Sequence, residues 1–175
     1  MRLWFFIAAL FVLPAAACPV DGAADVPGAL LTVHAQRSRI AAFGAADLAA
    51  LPAQQREQRR SVSGGASVAA GVEQSVRYGG VLLRDVLERA LAAALKDRGA
   101  RHLVFDAVAT DGYRAVFSWG ELFNGAAGEQ VLVILSQDGQ PLGAYEGPVA
   151  LRALGDLRPG PRHVRNLCAV VVRSE

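Results

Sequence analysis

The chain has 175 residues, 53% of them hydrophobic, with 18 basic and 16 acidic side chains and a formal net charge of +2. So even a balance provides no global basic field, which leaves nucleic acid unimplied as a partner. The two cysteines, without a C-x-x-C, make no zinc or dithiol motif, and the length suits a single domain whose core needs no metal to fold.

The N-terminus reads as an export signal. Arg2 precedes an unbroken apolar run from Leu3 to Leu13, too short for a bilayer's hydrocarbon core, and Pro14 and the small residues Ala15, Ala16 and Ala17 follow. Cleavage after Ala17, or as late as Ala24, leaves an exposed leader over 18–29 and one domain over 30–175. The chain is then exported, to a periplasm or to the exterior. Cys18 has three readings: a lipid acceptor if cleavage falls just before it, the disulfide partner of Cys168, or a residue removed with the signal. A bridge to Cys168 would close a long loop and contribute about 4 to 5 kcal/mol in the chain-entropy view. Cys168 itself lies in a strand-like apolar run, where a lone cysteine reads as a small buried hydrophobe.

Leu30 to Val33 reads as a short strand, and Phe43 to Pro52 as a helical turn or two that the proline ends. Gln54 to Val62 is a polar, edge-like strand, on which Arg56, Arg59 and Arg60 form a solvated face, and Ser63 to Ser67 is a flexible loop without a phosphate-binding pattern. Val72 to Tyr78 is a strand that Gly79-Gly80 breaks. Leu83, Val86, Leu87, Ala90, Leu91, Ala94 and Leu95 then fall on one face of the principal helix, capped at Gly99, with Asp85 and Arg89 paired on its polar side.

Leu103 to Trp119 predicts a β-hairpin, with Asp111-Gly112 as a tight turn whose two residues both take positive φ. Gly120 to Gly128 reads as a loop or short helical turn. Val131 to Leu135 is a strand apolar on both faces, Asp138-Gly139 a second tight turn, and Val149 to Leu154 a further strand. Gly155 to Pro161 is a loop, and Val164 to Val172 closes the chain as a central strand. The class is α+β, with strand-dominated mixed sheets and one principal helix.

No complete catalytic set appears. His34, His102 and His163 are too scattered for a metal site and read as surface or partly buried side chains. Asp85 and Glu88 stand among arginines on a solvated face, and there is no G-x-S-x-G elbow. The one concentration of donors is Arg158, Arg162 and Arg165, within a Gly- and Pro-rich stretch that can curl around a small anion or serve as a plain soluble loop. Tyr113, just past the first turn, is either a packing tyrosine or a site residue.

Four stretches in order carry a resemblance: Tyr78-x-Gly80-Val81-Leu82-Leu83 before its helix, Thr110-Asp111-Gly112-Tyr113, Leu135-Ser136-Gln137-Asp138-Gly139-Gln140-Pro141-Leu142, and Gly147-Pro148 leading a strand. Together they resemble the molybdopterin-binding domain of the sulfite oxidase family, above all its short, secreted, stand-alone members. The resemblance implies a mixed α+β domain that holds a pterin phosphate and dithiolene in loops at one end of its sheets. It places Arg165 where the family has a lysine near the pterin phosphate, with Asn166 where an aromatic usually follows, and it puts Tyr113 near the ligand end. Arg158, Arg162, Arg165 and Tyr113 are therefore the expected ligand-binding residues. In that family a cysteine upstream of the Tyr78 segment ligates molybdenum, whereas the corresponding stretch here is Arg59-Arg60-Ser61-Val62-Ser63. The implied function is an exported, non-catalytic module for molybdopterin, a pterin-like or other small anion, or an exported partner protein, with no molybdenum. The alternative is a molybdopterin-dependent oxidoreductase that passes electrons to a separate carrier.

Overall fold

The computed structural model describes residues 17–21, 26–36, 38–62, 72–158 and 160–174. The export signal and the loop Ser63 to Ser67 expected from the sequence lie outside the described residues, apart from Ala17. Two sheets enclose the main core. The first orders β2 (Ser38–Phe43), β1 (Leu31–Ala35), β11 (Leu167–Ser174), β5 (Leu103–Ala109) and β6 (Arg114–Ser118). The second orders β10 (His163–Val164), β9 (Ala150–Ala153), β7 (Val131–Gln137), β4 (Val72–Leu82) and β3 (Ala53–Val62), with β8 (Gln140–Pro141) beside β7. Among the described residues only β1 and β11 run parallel; every other pairing is antiparallel.

Alternation explains the layering. Val33, Phe105, Phe117 and Val170 from the first sheet meet Val81, Val133 and Leu151 from the second, and Leu83, Val86 and Leu87 of α2 (Leu83–Leu91) close the same core. The opposite faces of β4 and β7 carry Tyr78, Leu82, Leu132 and Ile134 into a second, smaller apolar cluster. This is the mixed, strand-dominated α+β fold expected, and β7 is buried on both faces as its continuous apolar run predicts.

Several local expectations need correction. The principal helix stops at Leu91 and does not run to Gly99. Its stripe thins to the exposed alanines 92–94, which reach no core residue, so the chain continues as 3-10 turns over Ala94–Lys96 and Arg98–His102, the second opened by Asp97 accepting from the Gly99 N–H at 2.6 Å. On α2, Asp85 meets Arg84 at 3.7 Å. Gly79-Gly80 does not break β4; it produces a register shift against β7, and a Cβ on Gly80 would collide with the Val133 carbonyl. Strand β2, whose first half, Ser38, Arg39 and Ile40, is exposed, lacks the alternation that would have announced it. Two short helices, α1 (Ala45–Ala49) and α3 (Trp119–Phe123), complete the set, the latter opened by a Ser118–Glu121 capping box.

The two Asp-Gly turns differ. Asp138 and Gly139 both have positive φ, at 52° and 79°, as a two-residue hairpin turn requires. At the first turn only Gly112 does, with φ 87°, and the Asp111 carboxylate accepts from the Tyr113 N–H at 2.9 Å; the hairpin closes through a longer loop with one left-handed residue.

Cys18 and Cys168 form a disulfide with Cα atoms 5.8 Å apart, so Cys168 is not a free buried hydrophobe, and the leader is pinned to the start of β11. His34 is fully buried, against the expectation of a surface or partly buried residue. Its Nε2 donates to Thr32 Oγ1 at 2.9 Å, and that hydroxyl donates to the Cys168 carbonyl at 3.1 Å. Burial first, and then the charge of Arg39, lower the His34 pKa below 6.5. Among the described residues no helix is long and apolar enough to cross a membrane.

Candidate functional site: a cavity between the ends of the two sheets

The link Arg165–Asn166 carries the chain from β10 in one sheet to β11 in the other. Such a crossing needs a sharp turn, and Asn166 makes it in the left-handed region at φ 48°. Its N–H donates to the Glu146 carbonyl at 2.7 Å, and its carbonyl accepts from the Thr110 N–H at 3.1 Å. The loop before β9 and the turn end of the β5–β6 hairpin are thereby tied to one point. Gly147, at φ 80°, makes the approach possible, because a Cβ there would collide with the Asn166 side chain. Between these three segments lies a cavity of about 460 Å³ whose walls include Asp111, Tyr113, Tyr145, His163, Arg165 and Asn166.

A chain of polar contacts runs from the interior to this cavity. Arg152 is buried, with its guanidinium 5.1 Å from the Tyr78 ring centroid, and its Nη2 donates to His163 Nδ1 at 2.9 Å. A guanidinium can only donate, so Nδ1 accepts and the ring proton sits on Nε2, which donates to Glu146 Oε2 at 2.6 Å. The other Glu146 oxygen lies 3.5 Å from Arg165 Nε, and the Arg165 guanidinium covers the Tyr145 ring at 4.5 Å from its centroid. The electrostatics of the two groups agree with this geometry. Burial, reinforced by the Arg152 charge and opposed by the bond to Glu146, lowers the His163 pKa and keeps the ring neutral. Burial would raise the Glu146 carboxyl, but the His163 hydrogen bond together with the charges of Arg152 and Arg165 outweighs it and holds the group below its ordinary value.

The structure separates the four residues singled out in the sequence. Arg165 and Tyr113 come together on the cavity wall. Tyr113 is 43% exposed, and its hydroxyl donates to the Pro161 carbonyl at 2.6 Å, which fixes the ring while leaving the oxygen able to accept. Arg162 points elsewhere. Its Nε donates to Asp156 at 2.8 Å and its Nη2 closes a second bond to the same carboxylate, while Nη1 donates to Glu121 at 2.6 Å and the guanidinium rests 5.0 Å from the Phe117 centroid. The bonds to Asp156, and then to Glu121, raise its pKa well above the ordinary arginine value. Arg158 is exposed and does not line the cavity.

Glu146, Tyr145, Arg152 and His163 are the site residues that sequence reasoning missed. One signal was available. A lone arginine in the apolar strand Val149 to Leu154 must find a buried partner, and the partner is His163.

The fold and cavity define a class: an α+β domain that presents a single open guanidinium among aromatic rings where the ends of two sheets meet. The chain belongs to the oxidoreductase molybdopterin-binding domain family, of sulfite oxidase type, whose pattern matches residues 24–175. Among solved structures, the sulfane dehydrogenase SoxCD from Paracoccus pantotrophus is similar in fold, with a TM-score of 0.59 over 83% of this chain at 14% identity; the chain spans 38% of that protein's length. No curated protein matches the chain.

The metal named by this class does not fit the donors present. Sulfite oxidase-type sites hold molybdenum through a cysteine thiolate, and both of this chain's two cysteines are joined in the Cys18–Cys168 disulfide. Among the described residues no group of three or more His, Cys, Asp or Glu side chains is placed to hold a metal ion. The anion-binding end fares differently. Arg165 Nε is buried without a hydrogen-bond partner among the described residues, and no described residue bonds its Nη atoms, so the group has donor capacity for a ligand.

Proposed function

We propose that this chain is an exported domain of the molybdopterin-binding type that holds a small anion, or the anionic end of a pterin-like ligand, beside Arg165 without redox catalysis. The observation that carries the reading is the contrast in donors: no thiolate for a metal, yet an arginine with unused donors on an open, partly aromatic cavity. Export is supported by the order of Arg2, apolar block and small residues, and by a disulfide of the kind that persists in oxidising compartments. With its sulfur bonded to Cys168, Cys18 has no thiol to offer a lipid, which favours a bridged leader over an anchored one. An exported partner protein that presents a carboxylate would satisfy the same cavity.

The test is elemental analysis of protein purified from its native compartment, combined with melting in the presence and absence of added small anions. The expected outcome is no stoichiometric molybdenum, no sulfite oxidation, and a higher melting temperature with anion. Near-equimolar molybdenum would overturn the non-catalytic reading in favour of an oxidoreductase that passes electrons to a separate carrier.

A further inference from the structure

We infer that the Arg165 cavity selects a planar aromatic monoanion, such as an aryl carboxylate or aryl sulfonate, over a phosphate dianion. The inference rests on the anion-site reading above and adds two observations to it.

The first is charge. Around the cavity two guanidinium groups, Arg152 and Arg165, face one carboxylate, Glu146, while His163 between them is neutral because Arg152 donates to its Nδ1. Of these, Arg165 is the cation on the cavity wall, and its free edge can meet one negative charge directly. Asp111, another carboxylate on the wall, has one oxygen occupied by the Tyr113 N–H and adds no donor for an anion. Arg162, which the sequence offers as a second cation, is neutralised by Asp156 and Glu121, and among the described residues Arg165 is the only arginine or lysine on the cavity wall. A dianion would therefore place its second charge opposite Asp111 and Glu146 with no cation to match it.

The second is shape and surface. Tyr145 is 73% exposed and Tyr113 43% exposed, two of the five large apolar side chains left open on the described surface, and both line this cavity. Their orientations are set, one by the Arg165 guanidinium over its ring and the other by its hydroxyl on Pro161. A guanidinium placed over an aromatic ring still has an edge to offer for two parallel bonds to a carboxylate or sulfonate, and a planar ring behind that acid group would cover the exposed tyrosine faces. An inorganic ion satisfies the arginine but leaves both rings wet.

The experiment is isothermal titration of the exported chain with benzoate, acetate and inorganic phosphate at mildly alkaline pH, where phosphate is a dianion. Benzoate should bind about tenfold tighter than either acetate or phosphate, from ring contact and charge match respectively. Tyr145→Ala should bring benzoate down to the level of acetate, and Arg165→Ala should abolish binding of both while the melting temperature without ligand stays unchanged. Phosphate binding through Arg165 as tightly as benzoate, or acetate equal to benzoate in the unaltered protein, would overturn the aryl-monoanion inference and leave the anion site standing. No binding of any of the three, or binding indifferent to Arg165→Ala, would sink both.

Discussion

Arg162 and Arg165 stand three residues apart, on either side of β10, yet they play opposite parts. Arg162, with a side chain 26% exposed, is enclosed by Asp156 and Glu121 and ties the loop before it to the start of α3. Arg165, 40% exposed, has one carboxylate at 3.5 Å and a tyrosine ring beneath it. The difference is not in the arginines but in what fixes the backbone around them. The Arg162 side is held by side-chain charge, while the Arg165 side is held by main-chain bonds through Asn166 and by the absence of a Cβ at Gly147. An arginine that the fold does not need for its own geometry is one that a ligand can use.

The largest effect should come from the backbone hold. Gly147→Val puts a β-branched residue at φ 80° and drives its side chain into Asn166, so destabilisation of about 3 to 4 kcal/mol is expected from left-handed strain and overpacking together. Urea unfolding measures it. A loss under about 1 kcal/mol would mean that the loop adapts and that the Arg165 side is not held by its backbone.

Next comes the charge hold. Arg162→Ala leaves Asp156 and Glu121 facing each other's region without their shared cation, and a loss of about 2 to 3 kcal/mol is expected, less than for a fully buried pair because both carboxylates retain some solvent. Anion binding should survive at a temperature where the variant is folded. If binding vanished while the fold stayed intact, the division of labour between the two arginines would be wrong.

How far these roles were legible in the sequence follows from the range of the interactions. The hairpin, the α+β class and the doubly buried strand β7 depend on spacings of two to four residues, and the sequence displays them directly. The choice between Arg162 and Arg165 depends on Glu121, which is 41 positions from Arg162, and on Glu146, which is 17 from His163. Nothing local distinguishes one arginine from the other. The disulfide is similar: at a separation of 150 residues, only the fold reveals that the leader and β11 meet. The helix that ends at Leu91 shows the converse failure, since its spacing continues through Ala94 and Leu95 although Ala94 is exposed and Leu95 reaches the core from a 3-10 turn.

Acid should then loosen the Arg165 side from below. The folded-state pKa of His163 lies under its ordinary value of 6.5, so below that pH the unfolded chain binds a proton that the folded chain refuses. Stability is full above 6.5 and falls as the pH descends from there, by at most about 1.4 kcal/mol for each pH unit per histidine. His34 acts with the same sign, so His163→Gln should remove part of the slope and not all of it. Glu146, also lowered in the fold, adds a second loss once the pH drops under its ordinary 4.5. Thermal melting across this range checks the order. A stability that rose on acidification from neutral pH would contradict a neutral His163 between Arg152 and Glu146.

The smallest effect on stability should belong to the residue with the largest effect on binding. Arg165 makes one ion contact at 3.5 Å, beyond hydrogen-bonding distance, and one contact with the ring of an exposed tyrosine, each of which contributes about 1 kcal/mol or less at a solvated position. Its removal also relieves a buried Nε donor that has no hydrogen-bond partner among the described residues, which offsets part of that loss. Arg165→Ala should therefore shift the unfolding free energy by about 0.5 kcal/mol or less, within the range of ordinary surface substitutions. Set beside Arg162→Ala, the measurement is direct: two alanines three positions apart, one costly and one nearly silent. A large loss for Arg165→Ala would mean that its link to Glu146 supports the fold, and its unused donors would then no longer mark a place kept for a ligand.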